Sequence, residues 1–263
     1  MIEFKNYRRF FAFGCSFTSY CPPTWADILA SEMPTTEYYN FGAGGGGNLM
    51  INNRVAQANL KFKFDENDLV IVMFTTMCRE DRYIRGLWRA HGNVYNQEYY
   101  DRGFVKKYCD PIGYLVRDMA LLEMTQAYLN SLPCKTLFLS LSDLSYDAGL
   151  LAETTLNEHD PTLIKLKQIY GDINFPFMVG KVSTGFRGLT FKDNTGKERN
   201  DGHPITQDHL DFLLKYNFPI TERGKSYVAD MMNRVENAND WNELYGSFPE
   251  IKAIKDKSER AII

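Results

Sequence analysis

The sequence predicts an α/β fold with a mostly parallel sheet, on three observations. Apolar runs such as Phe10-Phe11-Ala12-Phe13 and Leu69-Val70-Ile71-Val72-Met73-Phe74 do not alternate with polar residues, as expected of strands buried on both faces. Stretches of helical spacing lie between these runs, giving the β-α alternation of a parallel sheet. Glycine and small polar residues directly follow the first two strand-like runs, at the carboxyl ends of strands where open α/β folds bind ligands.

The first strand ends at Gly14-Cys15-Ser16-Phe17-Thr18, and Pro22-Pro23 halts the backbone after it. Thr24-Trp25-Ala26-Asp27 has the pattern of a capping box, in which Thr24 and Asp27 satisfy free amides of a first helical turn. Trp25, Ile28, Leu29 and Met33 repeat at helical spacing until Pro34 stops them. Glu37-Tyr38-Tyr39-Asn40-Phe41 reads as the second strand, and Gly42-Ala43-Gly44-Gly45-Gly46-Gly47 follows it. Asn48 is placed to cap a second helix carrying Leu49, Ile51, Val55, Ala56 and Leu60.

The run from Leu69 to Phe74 is the third strand, and residues 76–112, rich in Arg, Tyr and Gly, read as an insertion above the sheet forming a wall of the site. A helix is expected over residues 114–130, and Lys135-Thr136-Leu137-Phe138-Leu139-Ser140-Leu141 is the fourth strand. Residues 142–200 have weak periodicity, with one helix expected over 161–170. Beyond Asp201-Gly202-His203-Pro204, helices are expected from Thr206, on the spacing of Leu210, Leu213 and Leu214, and over residues 222–237. Trp241, Leu244, Tyr245 and Phe248, followed by charged residues, suggest a peripheral arm.

The 263 residues are enough to bury one large core, and the formal charge of −3 leaves no bulk basic footprint for nucleic acid. The opening Met1-Ile2-Glu3-Phe4-Lys5-Asn6 lacks a signal-peptide core, and no run approaches the ~18 apolar residues of a membrane span. A cytoplasmic location is therefore expected, with no membrane partner. Five cysteines, at positions 15, 21, 78, 109 and 134, form no CxxC pair, and reduced thiols are expected.

Ser16 stands where a strand ends, the place for a nucleophile that needs a base and amide donors nearby, although a serine after a glycine is also an ordinary turn residue. Cys15 should face the core if Ser16 faces out, because adjacent strand residues point opposite ways. The glycine run can present amides to an anion or be a plain loop, and it lacks the spaced pattern of a dinucleotide site. His203 can act as a base with Asp201 orienting it, or the stretch can be a surface turn. Asp201, His203, Asp208 and His209 match no specific metal-ligand spacing, so no metal is assigned. His91 and His159 receive no role.

The stretch Phe10-Phe11-Ala12-Phe13-Gly14-Cys15-Ser16-Phe17-Thr18 resembles the first motif block of the SGNH (GDSL-like) hydrolases, whose nucleophilic Ser follows the first strand. Gly42 to Asn48 is similar to the second block and Asp201-Gly202-His203-Pro204 to the last, in the same order. Gly14-Cys15-Ser16-Phe17-Thr18 also resembles an offshoot common among bacteriophage-encoded sequences. The resemblance implies an α/β three-layer sandwich with a mostly parallel flavodoxin-like sheet over residues 1–236, with insertions near 76–112 and 142–200 and a C-terminal extension over 237–263. It implies Ser16 as nucleophile, His203 as base, Asp201 as orienting carboxylate, and an oxyanion held by amides of Ser16 and one of Gly44, Gly45 or Gly47.

Two departures stand out. The third block, a Gly-x-Asn after the third strand, is replaced by Phe74-Thr75-Thr76-Met77-Cys78-Arg79, so Thr75, Thr76 or Asn48 must supply its donor, and Arg79 can bind an acidic or sugar substrate or be an ordinary solvated or salt-bridged arginine. The family's Asp stands three residues before His, where this chain has Asn200. The implied activity is hydrolysis of an O-acyl ester on a carbohydrate or a similar small ester, without a cofactor. The alternative is an SGNH-like binding or structural part, for example of a phage particle, with homo-oligomer or virion assembly as the corresponding partner.

Overall fold

The computed structural model describes residues 7–96, 99–142, 159–170, 175–178, 190–192, 198–200 and 202–262; Asp201 and much of the 142–200 insertion lie outside them. In chain order the elements are β1 (Arg9–Phe13), α1 (Trp25–Glu32), β2 (Glu37–Asn40), α2 (Asn48–Phe62), β3 (Asp68–Phe74), β4 (Arg79–Ile84), β5 (Leu87–Asn93), α3 (Arg102–Tyr108), α4 (Pro111–Asn130), β6 (Lys135–Ser140), α5 (Pro161–Tyr170), β7 (Thr190–Lys192), β8 (Glu198–Asn200), α6 (Thr206–Lys215), α7 (Glu222–Glu236), α8 (Trp241–Gly246) and α9 (Pro249–Glu259).

The central sheet has the order β2-β1-β3-β6, with every neighbouring pair parallel. Alternation along each strand divides the apolar residues between two layers of helix. Phe11, Phe13, Val70, Val72 and Phe74 pack with Ile51, Val55 and Ala58 of α2 and Leu115, Met119 and Leu122 of α4. Phe10, Ala12, Leu69, Ile71 and Met73 face the other way, onto Trp25, Ile28 and Leu29 of α1, Leu210 and Leu213 of α6 and Val228 of α7. Because both faces are covered, these strands can be apolar throughout, and the result is a three-layer α/β sandwich. At the amino edge, Arg9 grips the buried Asp68 of its neighbour through Nε at 2.9 Å and Nη2 at 2.6 Å, which holds β1 and β3 in register.

The strand and helix expectations match these elements to within a few residues, and the 161–170 helix is α5. One cap differs. Gly47 is the cap residue of α2 and Asn48 is its first helical residue, because the Asn48 side chain is drawn across to the end of β3. The C-terminal stretch, expected as a peripheral arm, packs against α7 and the β2 edge. Leu244 and Phe248 are buried with Met231 and Val235, and Ser258 accepts a hydrogen bond from the Asn40 amide at 2.9 Å, so α9 covers the β2 edge. Among the described residues, no helix is long and apolar enough to cross a membrane.

Asp27 ties α1 to β2. Its carboxylate accepts from the Thr24 amide at 2.8 Å and from the Tyr38 hydroxyl at 3.1 Å, while the Thr24 hydroxyl donates to the Thr18 carbonyl at 2.7 Å. Burial pushes the Asp27 carboxyl up to about 6, against the pull of these donors. Between the unfolded carboxylate range and pH 6, the folded protein therefore holds a proton that the unfolded chain has released, and this contribution to stability is lost as pH rises through 6. Asp27→Asn is expected to gain about 2–3 kcal/mol relative to the parent protein between pH 4 and pH 7. Urea denaturation at both pH values measures it, and an equal difference at the two would refute the assignment.

Candidate active site

Ser16 lies in a tight turn at the carboxyl end of β1, closed by the Thr18 and Ser19 amides donating to the Cys15 carbonyl at 3.0 and 3.2 Å. Gly14 is required here, because a Cβ at this position would lie 2.0 Å from Thr18 Oγ1 and 3.1 Å from the Met73 carbonyl. Gly14→Ala should therefore destabilise the protein by about 1–3 kcal/mol, the ordinary cost of overpacking. A denaturant midpoint unchanged from the parent would show that the turn yields more easily than its packing implies. Cys15 is fully buried, on the core side of the turn.

The turn is joined to the second strand through Asn40. Its Nδ2 donates to the Thr18 carbonyl at 2.7 Å, and its Oδ1 accepts from the Gly42 amide at 3.0 Å. The Ala43 amide donates to the Gly14 carbonyl at 3.1 Å, so the start of the glycine run lies against the serine turn. Asn40 was not singled out from the sequence, although an Asn two residues before a Gly at a strand end is a recognisable signal for a side chain that bonds its own backbone.

His203, 187 positions after Ser16, places Nε2 2.9 Å from Ser16 Oγ. Its ring stacks on Tyr20 with centroids 4.2 Å apart and planes 13° apart, and Phe17 lies on it at 5.6 Å and 47°. Ser16 is only 6% exposed under this cover, more enclosed than the exposed strand end that the sequence suggested. His209 of α6 packs edge-on to Phe17 and is buried. Burial, with His203 nearby, lowers it to about 3, so it is neutral near pH 7 and adds no positive charge beside the catalytic candidate. Asp201 cannot be placed, because it lies outside the described residues.

The glycine run is arranged unevenly. The Gly47 amide donates to Asp81 Oδ1 at 2.8 Å and the Met50 amide to Asp81 Oδ2 at 3.0 Å, so a carboxylate from β4 occupies the start of α2. The Gly46 amide is used by the Ala43 carbonyl. Among the described residues, the amides of Ser16, Gly44 and Gly45 donate to no protein acceptor. Gly45, at φ +70°, is held by the hairpin of β4 and β5: its carbonyl accepts from the Gly92 amide at 3.0 Å, and a Cβ would meet the Ala90 carbonyl at 2.5 Å.

The residues after β3 also separate into roles. Asn48 is spent on structure, with Oδ1 accepting from the Thr75 amide at 2.9 Å and Nδ2 donating to the Thr75 carbonyl and to Asp118 Oδ2, each at 3.2 Å. Thr76 Oγ1 accepts from Arg79 Nε at 3.2 Å, and Arg79 Nη1 donates to the Gly46 carbonyl at 3.0 Å, so Arg79 braces the glycine run. Among the described residues, the buried Thr75 hydroxyl has no hydrogen-bond partner. Asp118, buried beneath Asn48, is raised to about 6 by desolvation, partly countered by Arg117 at 2.7 Å. Asp81 and Asp118 were not among the residues singled out from the sequence, because helix-end and network carboxylates look like any other acidic side chain until the elements are docked. Among the described residues, no group of three or more His, Cys, Asp or Glu side chains is arranged to hold a metal ion.

A serine hydroxyl within hydrogen-bond reach of an imidazole nitrogen, with free amides in the same turn and in the adjoining glycine run, can deliver a nucleophile and bind the oxyanion that follows. No family model and no curated protein matches the chain. Among solved structures it is similar to a member of the lipolytic protein G-D-S-L family from Veillonella parvula, at 14% identity and a TM-score of 0.39, over 80% of this chain and 98% of that one. It is also similar to a protein described as lipolytic, of the G-D-S-L family, from Desulfitobacterium hafniense, at 14% identity and a TM-score of 0.35, over 87% of this chain and 99% of that one. With TM-scores this low, a functional reading of the site rests on its own geometry.

Proposed function

We propose that the protein is an SGNH-type serine esterase that hydrolyses an O-acyl ester, on a carbohydrate or a similar small molecule. The observation that carries this reading is the 2.9 Å approach of His203 Nε2 to Ser16 Oγ. Ser16 Oγ attacks the acyl carbon while His203 takes its proton, and the amides of Ser16 and of Gly44 or Gly45 hold the oxyanion, with the Thr75 hydroxyl as a further donor. Collapse of the tetrahedral intermediate expels the alcohol, which takes the proton back from His203. Water, deprotonated by His203, then attacks the acyl-serine, releases the carboxylic acid and restores Ser16. Asp201 holds the imidazole tautomer, and no cofactor enters the scheme.

A fluorophosphonate probe and a panel of activated acetyl esters and acylated sugars test the reading. Covalent labelling at Ser16 together with ester turnover is the expected result. The enclosure of Ser16 and the replacement of Gly-x-Asn by Thr75-Thr76 favour a second reading, a non-catalytic binding or structural component such as part of a phage particle. A folded protein that neither labels nor turns over any of the panel supports that second reading against the first.

A further inference from the structure

The five residues from Ser16 to Tyr20 carry the candidate nucleophile and also two rings that touch its partner imidazole. Tyr20 lies nearly parallel to His203, 4.2 Å between centroids and 13° between planes, while Phe17 meets the same ring at 5.6 Å and 47°. A parallel stack restricts rotation about the terminal torsion of histidine, which is otherwise broad. An electron-rich ring face also attracts the positive charge that the imidazole gains when it accepts a proton. Both effects act on the 2.9 Å contact between Nε2 and Ser16 Oγ.

We propose that Tyr20 is a positioning residue for His203, holding the imidazole plane so that Nε2 points at Ser16 and favouring the imidazolium that forms when Ser16 loses its proton. The proposal rests on the serine-esterase reading for its catalytic consequence. The stack itself is independent of any substrate. Among the described residues, His203 meets the Ser16 hydroxyl and the Tyr20 ring of the turn, with His209 of α6 close by. His209 is neutral across the working range, lowered to about 3 by burial.

The test compares Tyr20→Leu, which removes the ring, with Tyr20→Phe, which keeps the face and removes only the hydroxyl. For a small activated acetyl ester, Tyr20→Leu should lower kcat by about tenfold with KM unchanged, the scale of one partly desolvated ring–cation contact. The acid limb of its pH–rate profile should move to lower pH, because the imidazolium is less favoured, and Tyr20→Phe should restore both within about twofold. Loss of fold alone would not move the acid limb. Equal kcat and profile in Tyr20→Leu and the parent, or a Phe variant as impaired as the Leu variant, would overturn the proposal.

A second readout keeps the two readings apart. The chain has four histidines, so the His203 imidazole can be assigned by NMR through its loss in His203→Gln and titrated without substrate. Tyr20→Leu should shift its titration midpoint to lower pH while Tyr20→Phe leaves it in place. If the parent protein neither labels nor turns over, the esterase reading falls and this titration alone decides Tyr20. An unchanged midpoint in Tyr20→Leu rejects the positioning role whatever the activity.

Discussion

Ser16→Ala is expected to abolish fluorophosphonate labelling and to lower acetyl-ester turnover by roughly 10⁵–10⁶, the scale lost when the nucleophile of a serine hydrolase is removed. The fold should survive, because the turn is held by the Cys15 carbonyl, by Asn40 and by the close fit at Gly14, none of which uses the Ser16 hydroxyl. Circular dichroism and the denaturation midpoint check that. His203→Ala should reach about the same floor, and the double variant should fall no further, since a nucleophile and its base act as a unit. Undiminished turnover in Ser16→Ala would remove Ser16 from the mechanism. Additive losses in the double variant would show that Ser16 and His203 do not work together.

The second large effect is expected at the carboxylate. Losing the orienting carboxylate of a working Ser-His-Asp triad costs about 10⁴ in rate, because an amide cannot stabilise imidazolium and favours the wrong tautomer. Asp201→Asn should therefore remove most of the activity, while Asn200→Ala removes little. Asp201 is two residues before His203 rather than three, and the assignment requires the turn at Gly202 to carry its carboxylate to Nδ1. The expected readout is kcat/KM across pH for both variants. If Asp201→Asn keeps full activity throughout, the site runs as a Ser-His dyad, and orientation of the imidazole falls to Tyr20 and Phe17, whose rings lie on it at 4.2 and 5.6 Å.

These two experiments also separate kinds of knowledge about the site. Ser16 and His203 were both nameable from short motifs, because a strand followed by Gly-x-Ser and a turn followed by His-Pro are local patterns. Their meeting was not local. It depends on β1 lying inside the sheet and on α6 packing beside α1, so that the loop before α6 comes to the carboxyl end of β1. The glycine run shows the same division. Its amides were legible as a class of anion donor, yet Gly47 and Gly44 read alike in the sequence. Only the docked hairpin reveals that Asp81 occupies the amide of Gly47, whereas Gly44 donates to no described protein group.

What the sequence by itself determined is the four strands of the parallel sheet and the helices between and after them, whereas the β4–β5 hairpin, α3, α8 and α9 were not read from it. Unbroken apolar runs and helical spacing are written over a few consecutive residues, and burial on both faces of a parallel strand leaves no other economical reading of Leu69 to Phe74. The tertiary structure decided which polar atoms are already satisfied. Asn48 holds the Thr75 backbone, Arg79 holds the Gly46 carbonyl, and Tyr20, unremarked in the sequence, lies against His203. The physical reason is that hydrogen bonds and ring contacts are set by distances of a few ångströms between residues far apart in the chain. Hydrophobic periodicity records which way a side chain faces, and carries no record of the partner it meets there.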